Sequence, residues 1–519
     1  MTLERQQREC IESQLDSCAR KGRGVSRGRR LPHVFVPTLQ FHDGNVHHGA
    51  LGRQKIEIQY GCEVTMETTA RLIPSPDNEG HVNGGRLYRK VSRRLIPLLF
   101  LSYLFAFLDR INVSYAQLQM KPMLGFTDAV YGLGAGIFFL SYVVFEMPSN
   151  LWMTRSGIRF TLLRIMLLWG IVSACTMFVK TPFHFYLARF LLGLFEAGFF
   201  PGVILYLTYW FPATRRGRVT TLFMLAIPVT GMIGGPLSGW IMSVLDMKDN
   251  LAGWQWLLVL EGLPTFVLGF VCFVYLPDNP SQAGWLNDRE KAFLAMDLAK
   301  GTDGIGVPLV YSTLKDHVIA GFELLRTFQV WALAFIYFAI ACGNYAFTFW
   351  LPTMLTIAGA GSIARVGLLS AIPYGFGTLG ALAFARSSDL RGERRWHIAG
   401  AIALAALALG ASNVVHSSIP LTILILAGAA FFLFGGGILF WAVPPACFKS
   451  DAAPVGIAAV SSIGVIGGFI SPTLLGWIKT QTERLDIGIL SICVLMIAAS
   501  VVLLLTIRNV PAVVHENKP

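Results

Sequence analysis

The sequence predicts an all-α membrane protein: twelve transmembrane helices in two pseudo-symmetric six-helix bundles. Three observations carry this. Hydrophobic residues make up 54% of the 519 positions and charged ones only 14%, too apolar for a soluble domain of that length. From Arg93 onward the chain resolves into twelve apolar runs, each close to the ~20 residues that cross hydrocarbon. One connection, from Leu276 to about Thr327, is much longer than the others and divides the runs six and six. The net charge of +12 lies mainly between the runs, where the positive-inside rule places Lys and Arg, so it indicates a lipid bilayer rather than a nucleic acid as partner. The eight cysteines are scattered without CxxC or CxxH spacing, which implies neither a metal site nor a disulfide framework. No enzyme motif and no cofactor site is expected.

Taken in order, residues 1–85 are polar and basic, with turn residues at Pro74, Pro76, Gly80, Gly84 and Gly85 and no apolar segment of helical length. A disordered leader is expected there, with no signal-peptide core and with Met66 as an alternative start of translation. The first bundle, 86–276, holds runs at 95–113, 131–151, 162–180, 183–208, 219–242 and 255–276. The linker, 277–327, contains Asp288, Arg289, Glu290, Lys291 and Asp297 and reads as a solvated amphipathic segment. The second bundle, 328–508, holds runs at 329–351, 366–385, 397–415, 420–445, 455–477 and 486–507, and a tail, 509–519, follows. Basic clusters precede the first run (Arg86, Arg89, Lys90, Arg93, Arg94) and fill the loops after the second, fourth and eighth (Arg155 and Arg159; Arg215, Arg216 and Arg218; Arg391, Arg394 and Arg395). The opposite loops carry only scattered basic residues such as Lys121, Lys180 and Lys248. Both termini are therefore expected in the cytoplasm. A basic loop follows the second run of each half, and six runs per half make the repeat parallel, about an axis along the membrane normal. Such halves rock about a site near the midplane.

The fourth run contains Arg189-Phe-Leu-Leu-Gly193-Leu-Phe-Glu196-Ala197-Gly198-Phe-Phe-Pro201-Gly202. Arg189 and Glu196 are seven residues apart, so they share one helical face about 10 Å from each other. Charges in hydrocarbon are costly, and two on one face point to a polar interior. The structural alternative is an Arg–Glu pair that only ties helices together. Gly193 with Ala197, and Gly198 with Gly202, let another helix approach closely. Leu108-Asp109-Arg110-Ile-Asn112 closes the first run. Neighbours on a helix point about 100° apart, so one of Asp109 and Arg110 is expected to face a cavity and the other a neighbouring helix; snorkelling to water is the alternative. Arginine suits a fixed carboxylate because its planar fork binds bidentately and stays charged. In the second run Tyr142 and Glu146 share a face, and Glu146 is expected to pair with Arg155 or Arg159. The glycines and proline from Gly231 to Gly239 suit close packing, and Glu261 is an unassigned intramembrane carboxylate. The second half offers Asn344, Tyr345, Tyr374, Trp441 and Ser461, polar or aromatic but uncharged. A cavity between the halves would take its cations from the first and its polar contacts from the second.

Together the Leu108–Asn112 tract, Tyr142-Val-Val-Phe-Glu146-Met-Pro148-Ser149-Asn150, the Arg189–Gly202 tract and Gly234-Gly235-Pro236-Leu-Ser238-Gly239 resemble the major facilitator superfamily, and more closely its anion:cation symporter family. The Trp254–Pro264 segment and the Ser388–His397 loop agree, so the resemblance covers about residues 88–510. Within that family the chain looks most like bacterial tartrate, phthalate and hydroxyphenylacetate carriers. The resemblance implies the major facilitator fold and a proton-coupled importer of small organic anions in the inner membrane, acting as a monomer. It implies that Arg110 and Tyr142 contact the substrate carboxylate, with Asn344, Tyr345, Trp441 and Ser461 lining the rest of the site. It also implies that Asp109 and Glu196 carry protons, with Arg189 tuning or pairing with them. Two departures stand out. Relatives often have asparagine where Ser461 stands. The loop after the second run commonly holds an aspartate, yet here it reads Met153-Thr-Arg155-Ser-Gly157, so the charge lock is expected to differ, with Glu146 as a candidate. The rivals are an exporter of drugs or metabolites with the same fold and a non-transporting receptor; the cavity cations speak against the first and the lack of a signalling domain against the second.

Overall fold

A computed structural model describes residues 82–300, 326–413, 415, 418–448 and 453–507. Among these, eleven helices are long and apolar enough to cross a membrane, and one shorter apolar helix accompanies them. The first six are α1 (Gly84–Leu124), α2 (Asp128–Met153), α3 (Arg155–Phe178), α4 (Pro182–Thr208), α5 (Arg215–Val244) and α6 (Gly253–Tyr275). In the linker lies α7 (Asp288–Lys300). The second six are α8 (Phe328–Ile357), α9 (Ile363–Arg391), the short α10 (Arg395–Ala411), α11 (Ile419–Phe440), α12 (Gly456–Thr482) and α13 (Leu485–Thr506). Each of the twelve expected runs coincides with a helix over most of its described residues. The leader through 81, the linker from 301 to 325 and the tail from 508 lie outside the described residues.

The helices outrun the apolar segments because their ends are capped rather than broken. Asn83 accepts the Arg86 amide at 3.1 Å, which carries α1 back through the basic cluster. Gly125 ends α1 with φ 68°, a left-handed cap. Thr127 and Thr181 cap α2 and α4 through their hydroxyls. The helix α4 is not continuous. It breaks after Glu196, where Ala197 leaves helical geometry and Gly198 takes φ 89°, and it resumes at Phe199. Another break falls at Gly157 (φ 80°), where the Asp278 carboxylate accepts the Arg159 amide at 3.0 Å. Asp278, just beyond α6, thus supplies the acid that the loop after α2 lacks. Arg159 itself donates to the Phe273 carbonyl at 2.8 Å. Glu146 makes no ion pair with Arg155 or Arg159 among the described residues, contrary to expectation, because Arg159 is turned to the end of α6.

The linker helix docks on α1. Tyr88 donates to Asp297 at 2.6 Å, and Lys90 meets Glu290 at 2.7 Å. Burial pushes the Glu290 carboxyl up, but Lys90 and the Asn287 amide outweigh it and hold the group below its ordinary range.

The helix α1 runs from an entry side, where Gly84 lies, to a far side, where Leu124 lies, and the following crossings alternate. Every hydrogen bond described between α1–α6 and α8–α13 lies level with Arg110 or further toward the far side. Tyr115 and Ser370 join α1 to α9 at 2.7 Å. Gln117 and Tyr131 both donate to the Phe349 carbonyl, at 3.1 and 3.0 Å. The Ala129 amide donates to Thr480 at 2.8 Å. Asp128 is shared between Lys121 and, at 3.3 Å, Lys479 of the opposite half. Small residues let these backbones meet: a Cβ on Gly239 of α5 would lie 3.0 Å from the Ile363 carbonyl of α9. On the entry side α2 instead presents Val144 and Met147, 58% and 71% exposed. The halves are thus zipped at the far side and parted at the entry side, with a cavity between.

Candidate functional site

Arg110 sits on the face of α1 that looks across to α4 and α8. Its guanidinium forms an ion pair with Glu196, one residue before the break in α4. It donates to the Tyr345 hydroxyl of α8 at 3.4 Å. The rings of Phe138, Tyr142, Phe139 and Phe107 lie 5.0–5.8 Å from it, a range in which ring quadrupoles attract a cation. Arg110 is 8% exposed and Glu196 1%. A buried pair of this kind costs desolvation to assemble, and losing either member leaves a charge stranded at about 3–5 kcal/mol. Two of its atoms, Arg110 Nε and Glu196 Oε2, have no hydrogen-bond partner.

Arg189 does not complete this pair. Its Nε reaches the Gly134 carbonyl at 3.4 Å, and its guanidinium lies 5.1 Å from the centre of the Phe138 ring. The one-face spacing with Glu196 holds, but Glu196 takes its cation from α1, and Phe138 is sandwiched between the two arginines. Asp109 faces the other way, as the 100° offset requires. It accepts from Ser173 at 2.7 Å, Thr265 at 2.9 Å and Asn112 at 3.4 Å, inside the first bundle between α1, α3 and α6. Glu261, also buried, accepts from Ser238 at 3.1 Å.

The cavity between the halves has a volume of about 120 Å³. Arg110, Tyr142, Asn344, Tyr345, Trp441 and Ser461 all line it. Asp109, Glu196 and Arg189 do not; Glu196 acts on the cavity through Arg110. Tyr103, Tyr337, Thr348 and Glu146 line it as well. Sequence reasoning misses Tyr103 and Tyr337, since nothing in a run of apolar residues marks a tyrosine as cavity-facing. Tyr337 stacks on Phe440, with centroids 5.5 Å apart, and meets Trp441 edge-on at 4.7 Å. Tyr345 leans on Phe139 at 4.2 Å, so aromatic contacts from the two halves meet beside Arg110. The arrangement is one buried cation, held by one carboxylate, in an aromatic vestibule with hydroxyls and an amide on the opposite wall.

The Major Facilitator Superfamily model matches residues 99–472, from α1 through α12. The chain belongs to the Major Facilitator Superfamily. It is 43% identical over 412 residues to NicT of Pseudomonas putida, a candidate metabolite transport protein, with 79% of this chain and 92% of that one covered. It is 40% identical over 436 residues to a candidate tartrate transporter of Agrobacterium vitis, covering 83% and 94%. It is 37% identical over 409 residues to a quinolone resistance transporter of Acinetobacter baumannii, covering 79% and 92%. Among solved structures, an inward-facing, occupied bacterial homologue of the lysosomal transporter Spinster aligns with TM-score 0.62 at 14% identity, over 80% of this chain and 96% of that one. That likeness gives the fold alone. This facilitator is therefore an integral, multi-pass secondary transporter and not an enzyme.

Proposed function

We propose that this facilitator is a proton-coupled symporter that imports a small organic anion, a carboxylate such as tartrate, a sugar acid or an aromatic acid, by alternating access. The single observation that carries the reading is Arg110: a buried guanidinium that lines the cavity and already binds a carboxylate, that of Glu196. An incoming carboxylate competes with Glu196 for the same planar fork. When Glu196 takes a proton, Arg110 is released to the substrate; when the substrate leaves, Glu196 recovers its partner and gives up the proton. Coupling of this kind is reciprocal, so proton and anion each raise the other's affinity. Tyr142 and Tyr345 steady the substrate carboxylate, and Asn344, Trp441 and Ser461 bound its far end. Asp109 is a second proton site behind α1, and Arg189 biases both carboxylates through the field it adds.

Residues 86–276 and 328–508 are the two bodies that rock, and 277–327 joins them. The basic loops on the entry side support cytoplasmic termini in an inner membrane, and with that orientation the far-side zipper reads as an inward-facing state. One chain contains the whole cavity, which suits a monomer. Related carriers named for tartrate and for metabolites support import. The quinolone resistance relative supports export as a second reading, but a buried cavity arginine that already holds a carboxylate suits an acid better than a drug without one. Arg110→Lys separates the two, because it keeps the charge and loses the fork. Calorimetric affinity for the transported carboxylate should fall at least tenfold in the variant. Unchanged affinity would make Arg110 a structural anchor and remove the basis of the proposal.

A further inference from the structure

One charged group on the cavity wall has no role in that scheme. Glu146 lies on α2 one turn beyond Tyr142, toward the entry side, and lines the cavity. Its Oε2 is enclosed by protein and has no hydrogen-bond partner, and Glu146 makes no ion pair among the described residues. The residue as a whole is only half-buried on the cavity wall, and a carboxylate left without a partner there costs free energy that a donor on a ligand would recover. On the facing helix α8, Asn344 lines the same cavity, and its Oδ1 also has no hydrogen-bond partner. The cavity thus has a cationic end at Arg110 and, about a helical turn or two away, an end whose unmet groups are acceptors. An ionised carboxylate has no donor to offer, so what it lacks is a donor on the ligand.

We propose that Glu146 is the second recognition point for the cargo, and that the cargo is a carboxylate whose opposite end donates hydrogen bonds, as a hydroxyl or a protonated nitrogen does, rather than a bare hydrocarbon or a second carboxylate. This rests on the reading of Arg110 as the carboxylate anchor, and it narrows that reading to the sugar acids and hydroxylated aromatic acids, against a dicarboxylate such as tartrate. Glu146 then selects by two effects at once. It rewards a donor with a charge-assisted bond, and it repels an acid group placed against it. The rigid aromatic walls, Phe139, Tyr337 and Trp441 among them, hold a flat or extended ligand so that its two ends reach the two groups.

The experiment uses the full chain purified in detergent and three probes of one shape: 4-hydroxybenzoate, benzoate and terephthalate, titrated by calorimetry. Wild type should bind the hydroxyl compound about tenfold or more above benzoate, as a hydrogen bond to a charged group implies, with terephthalate weakest. In Glu146→Met the hydroxyl compound should fall to the level of benzoate, while benzoate itself is unchanged. In Glu146→Gln, a conservative exchange that keeps an acceptor and removes the charge, discrimination against terephthalate should disappear. The proposal is overturned if wild type binds the hydroxyl compound and benzoate equally, if Glu146→Met weakens both by the same factor, or if Glu146→Gln leaves terephthalate excluded. Failure of all three probes to bind wild type would also overturn it, since the aromatic walls would then not hold a flat acid between the two groups, whereas the Arg110 anchor fails by a different result, unchanged carboxylate affinity in Arg110→Lys.

Discussion

Arg110 and Glu196 are 86 residues apart in sequence, and their pairing is the contact on which the proposed cycle turns. Glu196→Gln mimics the protonated side chain, keeps an acceptor for Arg110 and cannot release a proton. Uptake driven by a pH gradient in proteoliposomes should therefore be lost, while exchange of labelled for unlabelled substrate, which moves no net proton, should persist. Loss of both activities in a folded variant would make Glu196 structural, and persistence of pH-driven accumulation would move the coupling proton elsewhere, to Asp109 first. The sequence made these residues legible as a set, because charges in apolar runs are costly enough to need a reason. The opposite facing of Asp109 and Arg110 also followed from helix geometry alone. The partner of Glu196 did not. Spacing along α4 fixes which face Arg189 and Glu196 share, but not which neighbouring helix offers the nearer cation. The partner expected for Glu146 was not legible either: Arg159 is turned to the end of α6, and Glu146 faces the cavity wall without an ion pair among the described residues.

At the scale of elements, length and apolarity were enough to place eleven spans and the shorter apolar helix α10. The break in α4 was hidden because the apolar pattern runs straight through Ala197 and Gly198, and a pair of small residues reads equally well as a packing contact. Its cause is local. Gly198 takes φ 89°, which a side chain resists, and a Cβ there would lie 2.5 Å from Ser149 Oγ. The break sets Glu196 at the end of its helical segment, under Arg110, instead of mid-helix. Gly198→Ala should therefore cost about 1–3 kcal/mol in backbone strain, before any clash is counted. Gly400 in α10 is the control, since a Cβ there meets nothing within 4 Å and helical alanine is favoured over glycine. Thermal unfolding in detergent should drop clearly for Gly198→Ala and hold or rise for Gly400→Ala. Equal midpoints would mean that α4 can straighten at no cost.

For the whole molecule, the division into halves and the side carrying the basic loops were legible, because loop charge and linker length are properties of the chain itself. Which side is shut was not, because a rocking transporter visits more than one state with one sequence. In the sequence Lys121 is only a scattered basic residue of a far-side loop, yet it meets Lys479 across the far-side seam through one acceptor, Asp128. Asp128→Asn keeps the shape and removes the charge, leaving two ammonium groups to repel each other where the halves must touch. The groups are partly exposed, so the effect is of order 1 kcal/mol, enough to raise the far-side-open population roughly fivefold. A cysteine in place of Thr473, which bonds the Gly132 carbonyl across the seam at 3.5 Å, reports that opening when native cysteines are replaced. Its labelling by an impermeant thiol reagent added outside right-side-out vesicles should be slow in the parent and several times faster with Asp128→Asn. A cysteine at Asn250, exposed in the far-side loop, fixes the orientation and should label at once in both backgrounds. If Asn250→Cys reacts only after permeabilisation, the far side is cytoplasmic and the state is outward-facing. If it reacts at once but Thr473→Cys labels at the same rate with and without Asp128, the charges are bystanders and the glycine contacts of α2 with α12 and of α5 with α9 hold the seam alone.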